Sequence, residues 1–289
     1  MPKDNLVLGL LGGVAASGIA YALYRYYEGR FSRAWTHKGH ELVGVLGGLG
    51  PAASALFTQL VVETGERAGA KKDSDHPPML MYINPELPNS RAAAVGEGPS
   101  PQEGMAFTFR RMMKAGATRV CVVCNTAHAF ARGAAEEAGA PFLDMLQLTA
   151  DRVVADLKKS GSTSFKVGLL STDGTIKMGL YQAALEAAAA AQLGSDNKLE
   201  VLVPADLSVT QGCILRIKGN DYRDNDVSPT LEREANALVK QGAEVIITGC
   251  TELPVAFNET VCPAFPVPIV NPMQVLADKI VQMTLASQA

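Results

Sequence analysis

Short β-branched runs alternate along the chain with longer segments of helical period. Strand-like runs fall at residues 42–48, 79–83, 119–124, 166–170, 199–203, 243–248 and 267–270. Helical patterns fall at 52–67, 101–114, 130–138, 146–158, 175–192, 228–241 and 272–286. Near-continuous apolar strands alternating with helices predict α/β architecture, with parallel sheets covered on both faces. In such sheets ligands gather beyond the C-terminal ends of the strands.

The pattern also repeats. VGVLGGLG at 43–50 is echoed by VGLLSTDG at 167–174, and VCVVCNT at 120–126 by VIITGCT at 245–251. The spacing from Val43 to Cys124 nearly equals that from Val167 to Cys250. This predicts two similar parallel-sheet α/β lobes with the active site in the cleft between them. Lobe 1 spans 42–145 and is completed by a C-terminal helix within 266–289; lobe 2 spans 146–265. Ahead of them, residues 1–41 form an apolar segment and a polar tether.

Residues 6–24 carry no charge, and a membrane core is crossed by about 20 apolar residues. Tyr21, Tyr24, Tyr26 and Tyr27 resemble an aromatic belt, and Arg25, Arg30, Arg33 and Lys38 follow. The expectation is an N-terminal apolar helix associating with a membrane and holding the lobes at its cytosolic face. A cleaved signal or transit peptide, or a helix at an oligomer contact, is the alternative. Removal of the segment would leave the protein in the cytoplasm or an organelle.

Composition narrows the function classes. The chain is 47% hydrophobic and 19% charged, so it can bury a real core. A net charge of −3 without a Lys/Arg block argues against nucleic acid as a partner. Five cysteines is an odd number for a disulfide framework, which favours free thiols in a reducing compartment.

Cys124 and Cys250 each end an apolar strand and precede a small polar pair, Asn125-Thr126 and Thr251-Glu252. A thiol at such an edge, beside the start of a helix, is expected to have its pKa lowered by N–H groups and the helix dipole. A two-fold between the lobes would turn the two sulfurs toward each other as an acid–base pair. Two structural core cysteines are the alternative. Cys121 and Cys124 form a CxxC, but residues three apart on a strand face opposite ways, so Cys121 belongs to the core. Ligands at metal spacing are missing, so no metal is expected. The turn Gly47-Gly48-Leu49-Gly50-Pro51 lacks dinucleotide spacing and is read as a backbone cradle for an anionic ligand. His128 is either a partner behind Cys124 or a helix-surface residue. Glu252 orients a thiol or a substrate amine, or caps a helix. Arg91 and Lys218 lie in loop-like segments, where they are either surface charges or two cationic anchors for a dicarboxylate.

At these residues the chain resembles the aspartate/glutamate racemase superfamily, most closely its aspartate racemase branch. The resemblance rests on the Gly47 to Pro51 turn, Asn84-Pro85 with Pro88 and Arg91, and Cys124-Asn-Thr-Ala-His128. It continues in LLSTDGT at 169–175, Ile217-Lys218-Gly219 and Gly249-Cys-Thr-Glu-Leu-Pro254. It implies two α/β lobes, a homodimer, no cofactor, and a small acidic amino acid as substrate. It implies Cys124 and Cys250 as the two bases, with Asn125, Thr126 and Thr251 on the substrate and Arg91 and Lys218 on its carboxylates. The chain departs from the family in having Asn89-Ser90-Arg91 where Asp-Arg is frequent, which would displace the arginine by one residue. The apolar N-terminus is a second departure.

Racemisation removes a proton from one face of Cα and delivers one to the other, which suits a thiol and a thiolate on opposite sides. The same proton abstraction followed by β-elimination would give a lyase of the dimethylsulfoniopropionate type. A third reading is a non-catalytic binder of an acidic metabolite.

Overall fold

Continuous burial of short β-branched segments is what builds the two sheets. The structure, a computed structural model, describes residues 21, 23, 41–162, 165–194, 199–222, 226–258 and 262–286. The apolar segment at 6–24 lies outside them apart from Tyr21 and Leu23. Among the described residues no helix is long and apolar enough to cross a membrane.

The first sheet holds β1 (Val43–Gly47), β2 (Met79–Ile83) and β3 (Arg119–Val122), all parallel, in the order β2-β1-β3. The second holds β4 (Lys166–Ser171), β5 (Glu200–Leu202), β6 (Val245–Gly249) and β7 (Ile269–Val270), also parallel, in the order β5-β4-β6-β7. With β7 set aside, the two orders are the same, as the sequence echo predicts. Both sheets therefore present the same strand ends to one side, with Cys124 just past β3 and Cys250 just past β6.

The helices are α1 (Pro51–Arg67), α2 (Ser90–Val95), α3 (Gln102–Lys114), α4 (His128–Ala138), α5 (Met145–Lys159) and α6 (Asp173–Lys177). They continue with α7 (Leu180–Leu193), α8 (Leu207–Lys218), α9 (Val227–Lys240), α10 (Leu253–Ala256) and α11 (Pro272–Ala286). Three apolar layers hold them. One runs between the sheets, joining Val45 and Phe57 to Val153, Leu169, Leu185, Ile247 and Met273. The outer face of the first sheet is covered by α3 and α4 through Met105, Phe109 and Ala131. That of the second is covered by α8, α9 and α10 through Ile214, Leu231 and Leu253. The last helix, α11, packs against α1 and α5, and Gln274 Nε2 donates to Thr64 Oγ1 at 2.8 Å.

Three sequence expectations need correction. Arg91 and Lys218 are helical, not in loops. Asn89 caps α2 by accepting from the Ala92 N–H, and Asp206 caps α8 by accepting from that of Ser208. The helix expected at 175–192 is two helices, because Gly179 takes a left-handed φ of 61° between them. Strand β3 stops at Val122, which leaves Cys124 in a loop instead of on the strand.

Candidate active site

Loops after β1, β3, β4 and β6 converge on one cavity of about 630 Å³. Cys124, Cys250, Asn125, Thr126, Thr251, Arg91 and Lys218 all line it. Gly48 and Gly50 line it as well, and both turn tightly against neighbours. Gly48 has φ 91°, and a Cβ there would come within 2.6 Å of the Asn84 backbone. A Cβ on Gly50 would collide with Glu252 Oε1. The Gly48 N–H donates to Ser54 Oγ at 2.9 Å, so it is not a free donor for an anion.

Cys124 sits at the turn into α4. The backbone N–H groups of Thr126 and Ala127 act to lower its pKa. Its carbonyl is 2.9 Å from His128 Nδ1, while His128 Nε2 accepts from the Met145 N–H at 3.3 Å. That acceptance places the imidazole proton on Nδ1, which donates to the Cys124 carbonyl. Burial lowers the His128 pKa and keeps the ring neutral. His128 is thus a buried brace behind Cys124, not a helix-surface residue.

Cys250 has a different neighbour. Its Sγ–H donates to Glu252 Oε2 at 3.0 Å, and the other carboxylate oxygen, Oε1, is 2.6 Å from Lys218 Nζ. Thr251 Oγ1 donates weakly to Oε2 at 3.4 Å. Glu252 is only 4% exposed, so Lys218 is what makes its burial tolerable. Glu252 stands at the N-cap of α10 but makes no cap bond; it orients the thiol.

The expected lowering of the thiol pKa values is reversed by burial. Burial, with Glu252 adding to it, pushes Cys124 up to about 11, against the pull of Lys218 and the two N–H groups. Burial also raises Cys250, and both the charge of Glu252 and its hydrogen bond add to that. Burial works to lower the Lys218 pKa, but Glu252 and the two cysteines outweigh it and hold the ammonium above its ordinary value. Cys121 is wholly buried in the layer between the sheets, as expected.

The remaining residues tie the lobes together. Thr126 Oγ1 lies 2.9 Å from both Thr172 Oγ1 and Thr175 Oγ1, and those two are 3.0 Å apart. Tyr181 OH donates to Asn125 Oδ1 at 2.6 Å. Arg91 reaches Asp173 with Nε at 2.9 Å and Nη2 at 2.5 Å, and Glu97 with Nη1 at 2.9 Å. Its guanidinium is therefore engaged by two carboxylates of the chain itself, and its hydrogen bond holds Asp173 below the usual carboxylate range.

Sequence reasoning gave no role to Ser90, Thr172, Gln211 or Tyr222, which also line the cavity. Thr172 falls inside the quoted LLSTDGT motif, the one signal that could have flagged it. Among the described residues no group of three His, Cys, Asp or Glu side chains is placed to hold a metal ion.

The model of the Asp/Glu/hydantoin racemase family matches residues 46–280. A broad specificity amino-acid racemase, RacX, of Bacillus subtilis (strain 168) is 24% identical over 253 residues, 86% of this chain and 100% of the relative. The structure of Picrophilus torridus aspartate racemase superposes with a TM-score of 0.68 at 27% identity, covering 84% of this chain and 94% of that one. An aspartate racemase homologue from Pyrococcus horikoshii OT3 superposes with a TM-score of 0.62 at 20% identity, covering 85% and 99%, and speaks for the fold alone.

Proposed function

The chain belongs to the Asp/Glu/hydantoin racemase family, and from that premise we propose that it interconverts L- and D-aspartate, or a related acidic amino acid, by cofactor-independent proton transfer between Cys124 and Cys250. The observation that carries this reading is the placement of two thiols, at like ends of two sheets of like strand order, on the wall of one cavity. The Picrophilus aspartate racemase supports aspartate, and the B. subtilis racemase supports tolerance in the side chain.

Burial makes both thiols favour the protonated form, so a base must be made on demand. Cys250 passes its proton to Glu252, 3.0 Å away. The resulting thiolate takes the Cα proton from one face, while the Cys124 thiol gives its own proton to the other. The cycle leaves Cys250 a thiol, Cys124 a thiolate and the proton still on Glu252; the opposite enantiomer runs the same steps in reverse. Protonation of Glu252 also frees the charge of Lys218, which can then stabilise the negative charge growing on the substrate carboxylate. Asn125, Thr126 and Thr251 lie along the same wall as further contacts. Arg91 would reach a carboxylate only by giving up its own acidic partners.

The test is incubation with L-aspartate in deuterated water. Appearance of D-aspartate carrying deuterium at Cα is the expected result. Absence of both product and label across the acidic amino acids would reject the proposal, and release of dimethyl sulfide from dimethylsulfoniopropionate would assign a lyase in its place.

A further inference from the structure

The two cysteine loops differ in what holds the carbonyl of the cysteine itself. After β6 the Cys250 carbonyl accepts the backbone N–H of Leu253, three residues on, at 3.1 Å. After β3 the residue in Leu253's place is Ala127, yet the Cys124 carbonyl accepts from the His128 side chain, with Nδ1 at 2.9 Å. An imidazole has taken over a bond that the backbone makes in the other loop. The Ala127 N–H acts instead on the Cys124 thiol, where it favours the thiolate.

The imidazole is fixed at its far end as well. Nε2 accepts the N–H of Met145, the first residue of α5, at 3.3 Å. The side chain is 4% exposed, and its ring lies 5.7 Å from that of Phe142 between centroids. Asp144 Oδ1 stands 3.8 Å from Nε2 but caps α5 through the Leu146 and Gln147 N–H groups, while Oδ2 accepts from Arg132. The matching position after Cys250 is Pro254, which offers no side-chain donor. Resting on the racemase reading, we propose that His128 is a positioning residue for Cys124: by holding the Cys124 carbonyl, it keeps the Ala127 N–H for the sulfur when the thiolate forms. Without that donor, the Ala127 N–H turns back to the Cys124 carbonyl, as that of Leu253 does to Cys250.

The test uses the full-length protein. Iodoacetamide alkylation of Cys124 and Cys250 is followed by mass spectrometry at one fixed alkaline pH, beside kcat and KM for L-aspartate from chiral chromatography and Cα deuterium incorporation. In His128→Ala, alkylation of Cys124 is expected to slow about threefold to tenfold, the worth of one hydrogen bond, with Cys250 unmoved. The kcat falls by a similar factor while KM is kept. His128→Asn, whose amide nitrogen stands where Nδ1 stands, restores both. His128→Gln keeps an acceptor for the Met145 N–H but lacks the donor to Cys124, and restores neither. A brace with a purely structural role would be rescued by Gln, and should His128→Ala fail to fold, the Asn and Gln pair carries the same comparison. Unchanged alkylation of Cys124, equal slowing at both cysteines, or rescue by Gln and not by Asn overturns the assignment. Slower alkylation of Cys124 without Cα label in wild type keeps His128 in its role and removes the racemase reading.

Discussion

The loops after Cys124 and Cys250 begin from the same strand position in sheets of the same order, yet they treat their thiols differently. After Cys124 the second residue is Thr126, whose hydroxyl turns away to Thr172 and Thr175, so only backbone N–H groups of this loop pull the thiol pKa down. After Cys250 the second residue is Glu252, whose carboxylate accepts a hydrogen bond from the thiol and anchors Lys218. Repetition of the fold sets where the sulfurs stand; one side chain in each loop sets what each sulfur can do. Backbone N–H groups pull on both thiols, two at Cys124 and one at Cys250, but only Cys250 donates its thiol hydrogen to a carboxylate.

Breaking the pair outright gives the largest effect. Cys124→Ser and Cys250→Ser should each cut racemisation by about 10²–10⁴-fold, the range for loss of a positioned acid or base. The two variants should differ in residual Cα deuterium exchange, each retaining it for the opposite enantiomer. Identical residual exchange, seen by NMR with pure L and pure D substrate, would erase the distinction between the loops.

Glu252→Gln sharpens it. Without the carboxylate, Cys250 has no proton acceptor, and kcat/KM should fall about 10²-fold. The sign of the accompanying pH effect is fixed, because Glu252 raises both thiols. Its removal lowers both pKa values, so the alkaline rise in thiolate moves to lower pH. Alkylation of Cys124 by iodoacetamide, followed by mass spectrometry, should rise near pH 11 in wild type and earlier in the variant. An unmoved profile would show that Glu252 does not act on the thiols.

Thr126→Val is the mildest change. It removes the hydroxyl that meets Thr172 and Thr175 across the lobes, and those two still bond each other. A loss of about 1–2 kcal/mol in urea unfolding is expected, with the alkylation profile of Cys124 unshifted. A shift as large as that of Glu252→Gln would place the two second residues in the same role.

Much of this was legible in the chain before any coordinates. Valine-rich runs mark buried strands whatever the tertiary context, and the echo of VCVVCNT in VIITGCT anticipates the matched strand orders. Two of the helices, α2 and α8, were not legible. The α2 segment SRAAAV follows two prolines and reads as loop until Asn89 is seen to cap it. Segment α8, LSVTQGCILRIK, contains β-branched residues and a glycine that disfavour a helix locally, and packing of Cys213, Ile214 and Ile217 overrides them. The partners of the site were hidden for a different reason. Thr126 with Thr172, Tyr181 with Asn125 and Lys218 with Glu252 are far apart in sequence, and no local pattern encodes such meetings. The upward thiol shifts belong with these, since burial is a property of the assembled cavity.

The helix Pro272–Ala286 has a bearing on how the molecule is made. It lies on Pro51–Arg67, so a segment far along the chain covers the apolar flank of the first sheet. A variant lacking Pro272–Ala286 would leave Phe57 and Val61 short of their cover, which ties the integrity of the first lobe to residues beyond the second.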